Sequence, residues 1–136
     1  MALEAWDRLV NAILGLPTAS DTIKVDLRRG LTIQFAPITV QAIGDNTVVS
    51  ANATKKIKVL NYAVVSEGTV TVTWKSGAAT SLSGAMPLVV NTGVAIGGGN
   101  SPATHWEFET AVNEDLVIAL SGNTGVRGHL AYFLEA

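Results

Sequence analysis

Three side chains with metal-binding chemistry alternate along one short segment of the chain: His105, Glu107 and Glu109. An imidazole and two carboxylates can ligate a divalent cation. On a strand, however, side chains on the same face are spaced about 7 Å apart, so a site needs a second strand or a moving loop. The pattern also fits a solvated strand face opposite Trp106 and Phe108. We favour that second interpretation and predict no metal at this position.

A glycine-rich run, Gly97-Gly98-Gly99-Asn100, suggests a phosphate-binding loop at first sight. Such loops hold an anion at the N-terminus of the helix that follows, but Pro102 and a strand-like pattern follow here. We therefore expect a hairpin loop. His129 has no evident acid or nucleophile beside it, and the chain contains none of the common nucleotide, zinc-protease or serine-hydrolase motifs. The sequence predicts a protein that is not an enzyme and has no cofactor.

Basic and aromatic side chains leave two binding roles open. Lys55, Lys56 and Lys58 form a small positive stripe, which is either a solvated face or a contact for acidic groups on a partner. Trp74 and Trp106 lie in strand-like segments, where they either fill the core or offer aromatic faces to a sugar ring.

Composition limits the function classes further. The chain has 136 residues, of which 48% are hydrophobic, carries a net charge of −2 and contains no cysteine. Disulfide frameworks and thiolate metal sites are therefore excluded. The charge argues against general nucleic-acid binding. No run approaches the roughly 20 apolar residues of a membrane helix. We expect a soluble protein, made in a reducing cytoplasm, that binds neither nucleic acid nor membrane.

Residue usage predicts a mainly β protein, because 38 of the 136 residues are Val, Thr or Ile and β-branched side chains suit strands. Residues 1–16 are the exception, since apolar residues recur there at helical spacing. This short amphipathic helix ends near Gly15 and Pro17, and it either covers its own domain or docks on a partner. Its apolar stripe comprises Leu3, Trp6, Leu9, Val10, Ile13 and Leu14.

We interpret residues 17–43 as a linker and strand arm, and residues 44–136 as the β domain. Many short strands separated by Gly, Asn and Ser turns predict an antiparallel β-sandwich or jelly roll. We expect turns at 44–46 and 97–100, and a strand over 88–90. Period-two alternation assigns the core-facing residues, which are Ile57, Val59, Val70, Val72, Trp106, Phe108, Val126, Leu130, Tyr132 and Leu134.

From residue 44 onward the chain resembles small phage virion proteins with a β-sandwich or jelly-roll domain. The matching pieces are Gly-Asp-Asn-Thr-Val-Val at 44–49, Lys-Lys-Ile-Lys-Val-Leu at 55–60, Thr-Trp-Lys-Ser-Gly at 73–77, Leu-Ser-Gly-Ala-Met-Pro-Leu at 82–88, Trp-Glu-Phe-Glu-Thr at 106–110, Asn-Glu-Asp-Leu-Val-Ile at 113–118 and Val-Arg-Gly-His-Leu-Ala-Tyr at 126–132. The similarity, from residue 44 to the end of the sequence, covers about two thirds of the chain.

The resemblance implies a capsid decoration, or cement, protein of the bacteriophage virion. It implies a homotrimer whose partner is the major capsid protein. For that contact we predict the helix residues Leu3, Trp6, Leu9, Val10 and Ile13 and the stripe Lys55, Lys56 and Lys58. The alternative is a tail-fibre, host-recognition or carbohydrate-binding module, which needs Trp74 or Trp106 to be exposed.

Overall fold

A computed structural model describes residues 31–98, 100, 102 and 105–136. The predicted amphipathic helix over 1–16 lies outside these residues. Within them, no helix has the length and apolar character needed to cross a membrane.

The described residues form strands and turns without a helix, so the mainly β prediction is confirmed for this part of the chain. The strands are β1 (Gln34–Val40), β2 (Gly44–Val49), β3 (Lys56–Ser66), β4 (Val70–Ser76), β5 (Thr80–Ser81), β6 (Met86–Leu88), β7 (Gly93–Ile96), β8 (Phe108–Glu109), β9 (Leu116–Leu120) and β10 (Val126–Glu135).

These strands make two antiparallel sheets. In sheet A the order is β1-β10-β3-β7, with β8 also paired to β3. In sheet B the order is β2-β9-β4-β5, with β6 also paired to β4. The pairings are nested along the chain: β1 pairs with β10, β2 with β9, β3 with β7 and β8, and β4 with β5 and β6. The described chain is thus one long hairpin ribbon, and its β3–β10 and β4–β9 pairings close it into the two sheets.

The inner faces of both sheets share one hydrophobic core. Its centre is aromatic: the Trp74 ring of sheet B lies 5.0 Å from the Tyr62 ring and 5.4 Å from the Phe108 ring of sheet A. Trp74 is fully buried, and burial raises the pKa of the Tyr62 hydroxyl. The core prediction is confirmed for most of its members, which are Ile57, Val59, Val70, Val72, Phe108, Val126, Leu130, Tyr132 and Leu134.

Trp106 departs from the predicted alternation. It precedes β8 and packs in a second hydrophobic cluster with Leu60, Ala131 and Phe133, whereas Phe108 joins the main core. The expectation that Trp106 and Phe108 share one face is therefore wrong. Period-two alternation holds only inside a strand, and this strand begins at Phe108.

A bulge in β3 creates the second cluster. The pairing with β10 shifts between Ala131 and Tyr132, so that Leu60 is an extra residue between Val59 and Asn61. The bulge changes which residues of β3 face inward: Ile57 and Val59 before it, and then Tyr62 and Val64 after it. A bulge also bends a strand and increases its local twist.

Two local expectations differ from the structure. The predicted turn at 44–46 is part of β2, where Gly44 and Asn46 pair with Leu120 and Ile118 of β9. Conversely, Val89 and Val90 lie in a turn and not in a strand. Pro37 lies on β1, at the edge of sheet A as the structure describes it. An edge position suits proline because it has no N–H group to donate.

Candidate interaction surface

The outer face of sheet A, which points away from the shared core, has two contrasting halves. The covered half consists of Lys58, Leu60, Ala131 and Phe133, with Trp106 packed over them, and it is largely buried. The open half consists of Ala63, Val65, Ala95 and His129 and is largely exposed. Both halves lie mainly on β3 and β10.

Lys58 is the central polar group of the covered half. Its side chain is only 8% exposed, and its ammonium lies 2.7 Å from a carboxylate oxygen of Glu135 and 3.6 Å from one of Glu109. The same nitrogen lies 4.0 Å from the centre of the Trp106 ring. The lysine stem therefore packs among apolar groups while its charge is held by two carboxylates and an aromatic face. The predicted lysine stripe is thus not a uniformly solvated face.

The other two lysines of the stripe have different environments. The Lys56 ammonium donates a hydrogen bond to Glu109 at 3.0 Å, whereas Lys55 is exposed. This bond, together with the charges of Lys56 and Lys58, holds the pKa of the Glu109 carboxyl below its ordinary value. Partner binding by Lys55, Lys56 and Lys58 stays a prediction, as does binding by Leu3, Trp6, Leu9, Val10 and Ile13, which lie outside the described residues.

The carboxylates considered as metal ligands have separate partners. Glu107 accepts a hydrogen bond from the Asn100 amide at 2.8 Å, and its own backbone N–H donates to Val59 at 2.8 Å. Glu109 faces the lysines. In the part of the chain that the structure describes, no three side chains of the His, Asp or Glu type come together in a way that could hold a metal ion.

The glycine-rich loop lies against β3. The Asn100 amide donates to the carbonyl of the bulge residue Leu60 at 2.6 Å. Gly97 has φ +126°, and a Cβ there would lie 2.2 Å from the Cβ of Asn61, so only glycine fits. Gly97, Gly98, Asn61 and His129 are among the residues that line a shallow depression of about 380 Å³.

Neither tryptophan of the described residues offers a free aromatic platform. Trp74 is fully buried. Trp106 is half-buried, with the Lys58 ammonium over its ring and Phe133 meeting it edge-on at a centroid distance of 6.0 Å. Sugar binding through an exposed tryptophan face therefore finds no support at these two residues.

Sequence reasoning missed three exposed valines: Val65, which belongs to the open half, and Val89 and Val90 in the turn beside the end of β3. Val65 also lines a second depression of about 280 Å³, together with Ala63, Val64, Gly93, Val94 and Ala95. Two of these valines, Val89 and Val90, lie in the segment 88–90 that the sequence predicts as a strand. The turn-forming residues Asn91 and Gly93 directly after them were the signal that could have revealed the turn.

Comparison with known proteins adds little to this geometry. No protein-family model and no curated protein matches the chain. Among solved structures, a chain of the cyanophage Pam1 capsid asymmetric unit is similar, with 13% sequence identity, coverage of 77% of this chain and 85% of that chain, and a TM-score of 0.36. A TM-score of this size does not establish a common fold.

Proposed function

We propose that this chain is a phage capsid decoration, or cement, protein. In this role it is a structural component of the virion with no catalytic activity of its own. It is made in the host cytoplasm, binds the major capsid protein of the assembled head and bridges neighbouring subunits. Each contact is modest, and the contacts of many copies add up over the shell.

The nested strand pairing is the observation that carries this proposal. A hairpin ribbon rolled into two sheets, with its first strand paired to its last, has the connectivity of a jelly roll, and we infer that fold for the described residues. Jelly rolls recur in viral capsid proteins and lectins. Fold alone does not assign a function, so the resemblance of residues 44–136 to phage virion proteins supplies the second part of the support.

The proposal includes a homotrimer, as the resemblance implies. The amphipathic residues 1–16 are the part of the sequence best suited to join copies or to reach a capsid subunit, because a free helix of that length is marginal in water. Lys55 is the stripe residue whose charge is most available to an acidic partner, since it is exposed in the structure.

The test is binding to assembled heads. Heads purified from an infection that lacks this chain should bind the purified protein in co-sedimentation, and the loaded heads should withstand heating or dilution better than bare heads. Light scattering should give three times the protomer mass of 14.1 kDa. Absence of binding to such heads would refute the decoration role. A monomeric mass with binding intact would refute only the intrinsic trimer.

A further inference from the structure

Three half-exposed valines lie where β3 ends: Val65 is 50% exposed, Val89 55% and Val90 56%. We name this group the valine corner. Two backbone hydrogen bonds hold its turn against the strand end: Ser66 donates to Thr92 at 2.9 Å and Asn91 donates to Ser66 at 2.8 Å. The turn that carries Val89 and Val90 therefore lies beside the end of β3.

The turn that carries Val89 and Val90 is fixed by its own hydrogen bonds. The Thr92 hydroxyl accepts from the Val89 N–H at 3.0 Å and donates to the Val89 carbonyl at 2.7 Å. Asn91 takes a positive φ of 59°, a conformation that asparagine tolerates better than most residues. A partner that binds here has little ordering to impose on the turn, which favours binding.

The depression of about 280 Å³ shares Val65 with the valine corner. Its floor is made of small residues, among them Ala63, Gly93 and Ala95. A Cβ at Gly93 would lie 2.1 Å from the carbonyl oxygen of Val64, so this position excludes every larger residue. For scale, a cavity of about 150 Å³ holds a benzene molecule, so the depression can receive an aliphatic side chain.

The depression is apolar, because no charged side chain lines it. Beside the valine corner, Arg127 lies directly opposite Val65 on β10, but its charge is already paired with Glu67 at 2.9 Å. A charged partner surface would lose its hydration here without gaining a counter-charge. The complementary partner is therefore an uncharged apolar segment.

The strand β7 adds backbone groups to the surface. It pairs with β3 on one side, and on its other side it has no strand neighbour among residues 31–98, 100, 102 and 105–136. Such an edge can accept an extended segment by strand addition, in which backbone hydrogen bonds give affinity and pockets receive alternate side chains.

The size of the surface argues against a second copy of this chain as the occupant. Three valines and a four-residue edge are far fewer than the roughly 20–30 residues that each partner contributes to a stable interface. A contact this small is effective only when it is repeated over many sites. We propose that the valine corner and β7 bind an extended, uncharged apolar segment of the subunit that builds the phage shell, an inference that rests on the decoration role.

The experiment uses the full chain and heads that lack it. Val90→Asp and Ala95→Asp each place a charge on the proposed surface at an exposed position. Val112→Asp is the matched control, because Val112 is 43% exposed and lies at the opposite end of the sheets, beside Asn113, which bonds to Asn52. Circular dichroism and thermal unfolding confirm that each variant is folded.

We expect each surface variant to bind heads at least tenfold more weakly than the wild type, and the control to bind normally. Wild-type binding that both surface variants retain would overturn this inference and leave the decoration role standing. The inference would also be overturned if the wild type formed a dimer that Val90→Asp dissociates, since the occupant would then be a second copy. If the wild type fails to bind heads, the decoration role fails and this inference with it.

Discussion

The covered and open halves of sheet A lie mainly on the same two strands and face the same way, yet only one of them is buried. Leu60 and Phe133 are 3% and 0% exposed, whereas Val65 is 50% exposed. The difference arises from the Leu60 bulge and from Trp106, which packs over one half only. The burial of an outward-facing strand residue is thus decided by the segments that cross it, and not by the strand itself.

The largest contrast on this outer face should come from two phenylalanines that differ in burial. Phe133→Ala removes a fully buried ring and should lower the free energy of unfolding by about 3–5 kcal/mol. Phe35→Ala, on β1 opposite Ala131, removes a ring that is 78% exposed and should change it by less than about 0.5 kcal/mol. Urea denaturation measures both. Equal losses would mean that the two positions are not distinguished by burial.

The next contrast concerns charge. Lys58→Glu places a carboxylate beside Glu109 and Glu135 in a site that is 8% exposed, so it should lower the free energy of unfolding by about 3 kcal/mol. Lys55→Glu makes the same change at an exposed position and should cost less than about 0.5 kcal/mol. Thermal unfolding of the two variants compares them. A wild-type melting temperature for Lys58→Glu would contradict the ion-pair geometry.

Two alanines test packing with a smaller change. Ala131 is 3% exposed between Leu60 and Phe133, and Ala131→Val should overpack the covered half at a loss of about 1–3 kcal/mol. Ala95→Val adds the same two methyl groups to the open half, where space is available, and should be neutral within about 0.5 kcal/mol. The denaturant midpoints of the two variants measure this difference. A larger loss of stability for Ala95→Val than for Ala131→Val would contradict the description of one half as covered and the other as open.

The smallest predicted effect is a dependence of the free energy of unfolding on pH. The pKa of Glu109 is lower in the folded chain than its ordinary value of 4.5, chiefly because Lys56 donates a hydrogen bond to it. The stabilisation is therefore present above pH 4.5 and is lost as the pH falls through the folded pKa, because the unfolded chain binds the proton first.

Lys56→Met should accordingly lose less stability on acidification than the wild type, and Lys55→Met should behave like the wild type. Urea titrations on both sides of pH 4.5 measure this difference. Identical pH profiles for Lys56→Met and the wild type would show that Lys56 does not stabilise the Glu109 carboxylate.

Much of the sheet structure could be predicted from the sequence. Val70 and Val72 alternate with threonines, and they face the core as predicted. The glycine-rich loop after β7 was also expected as a loop. The prediction failed where alternation meets an irregularity: the short strand β8 leaves Trp106 outside it, and the Val89–Val90 pair looks like a strand but forms a turn.

The candidate surface was harder to predict, because its residues come from separate segments. Val65 and Val90 are 25 positions apart in the chain, and the pairing of β3 with β7 and the hydrogen bonds of Ser66 with Asn91 and Thr92 bring their segments together. Lys58 looks like any exposed lysine on an alternating strand. Its burial depends on Glu135 and Trp106, which are distant in sequence.

Residue types and the two-residue period of a strand are enough to predict the β-rich fold, the inward-facing residues of the regular strands and the absence of cysteine chemistry. Long-range contacts are needed to establish which outward-facing residues are buried and which apolar side chains form the valine corner. Those outcomes depend on the register of β3 against β10 and on the bulge at Leu60, which long-range pairing sets and local residue preference does not.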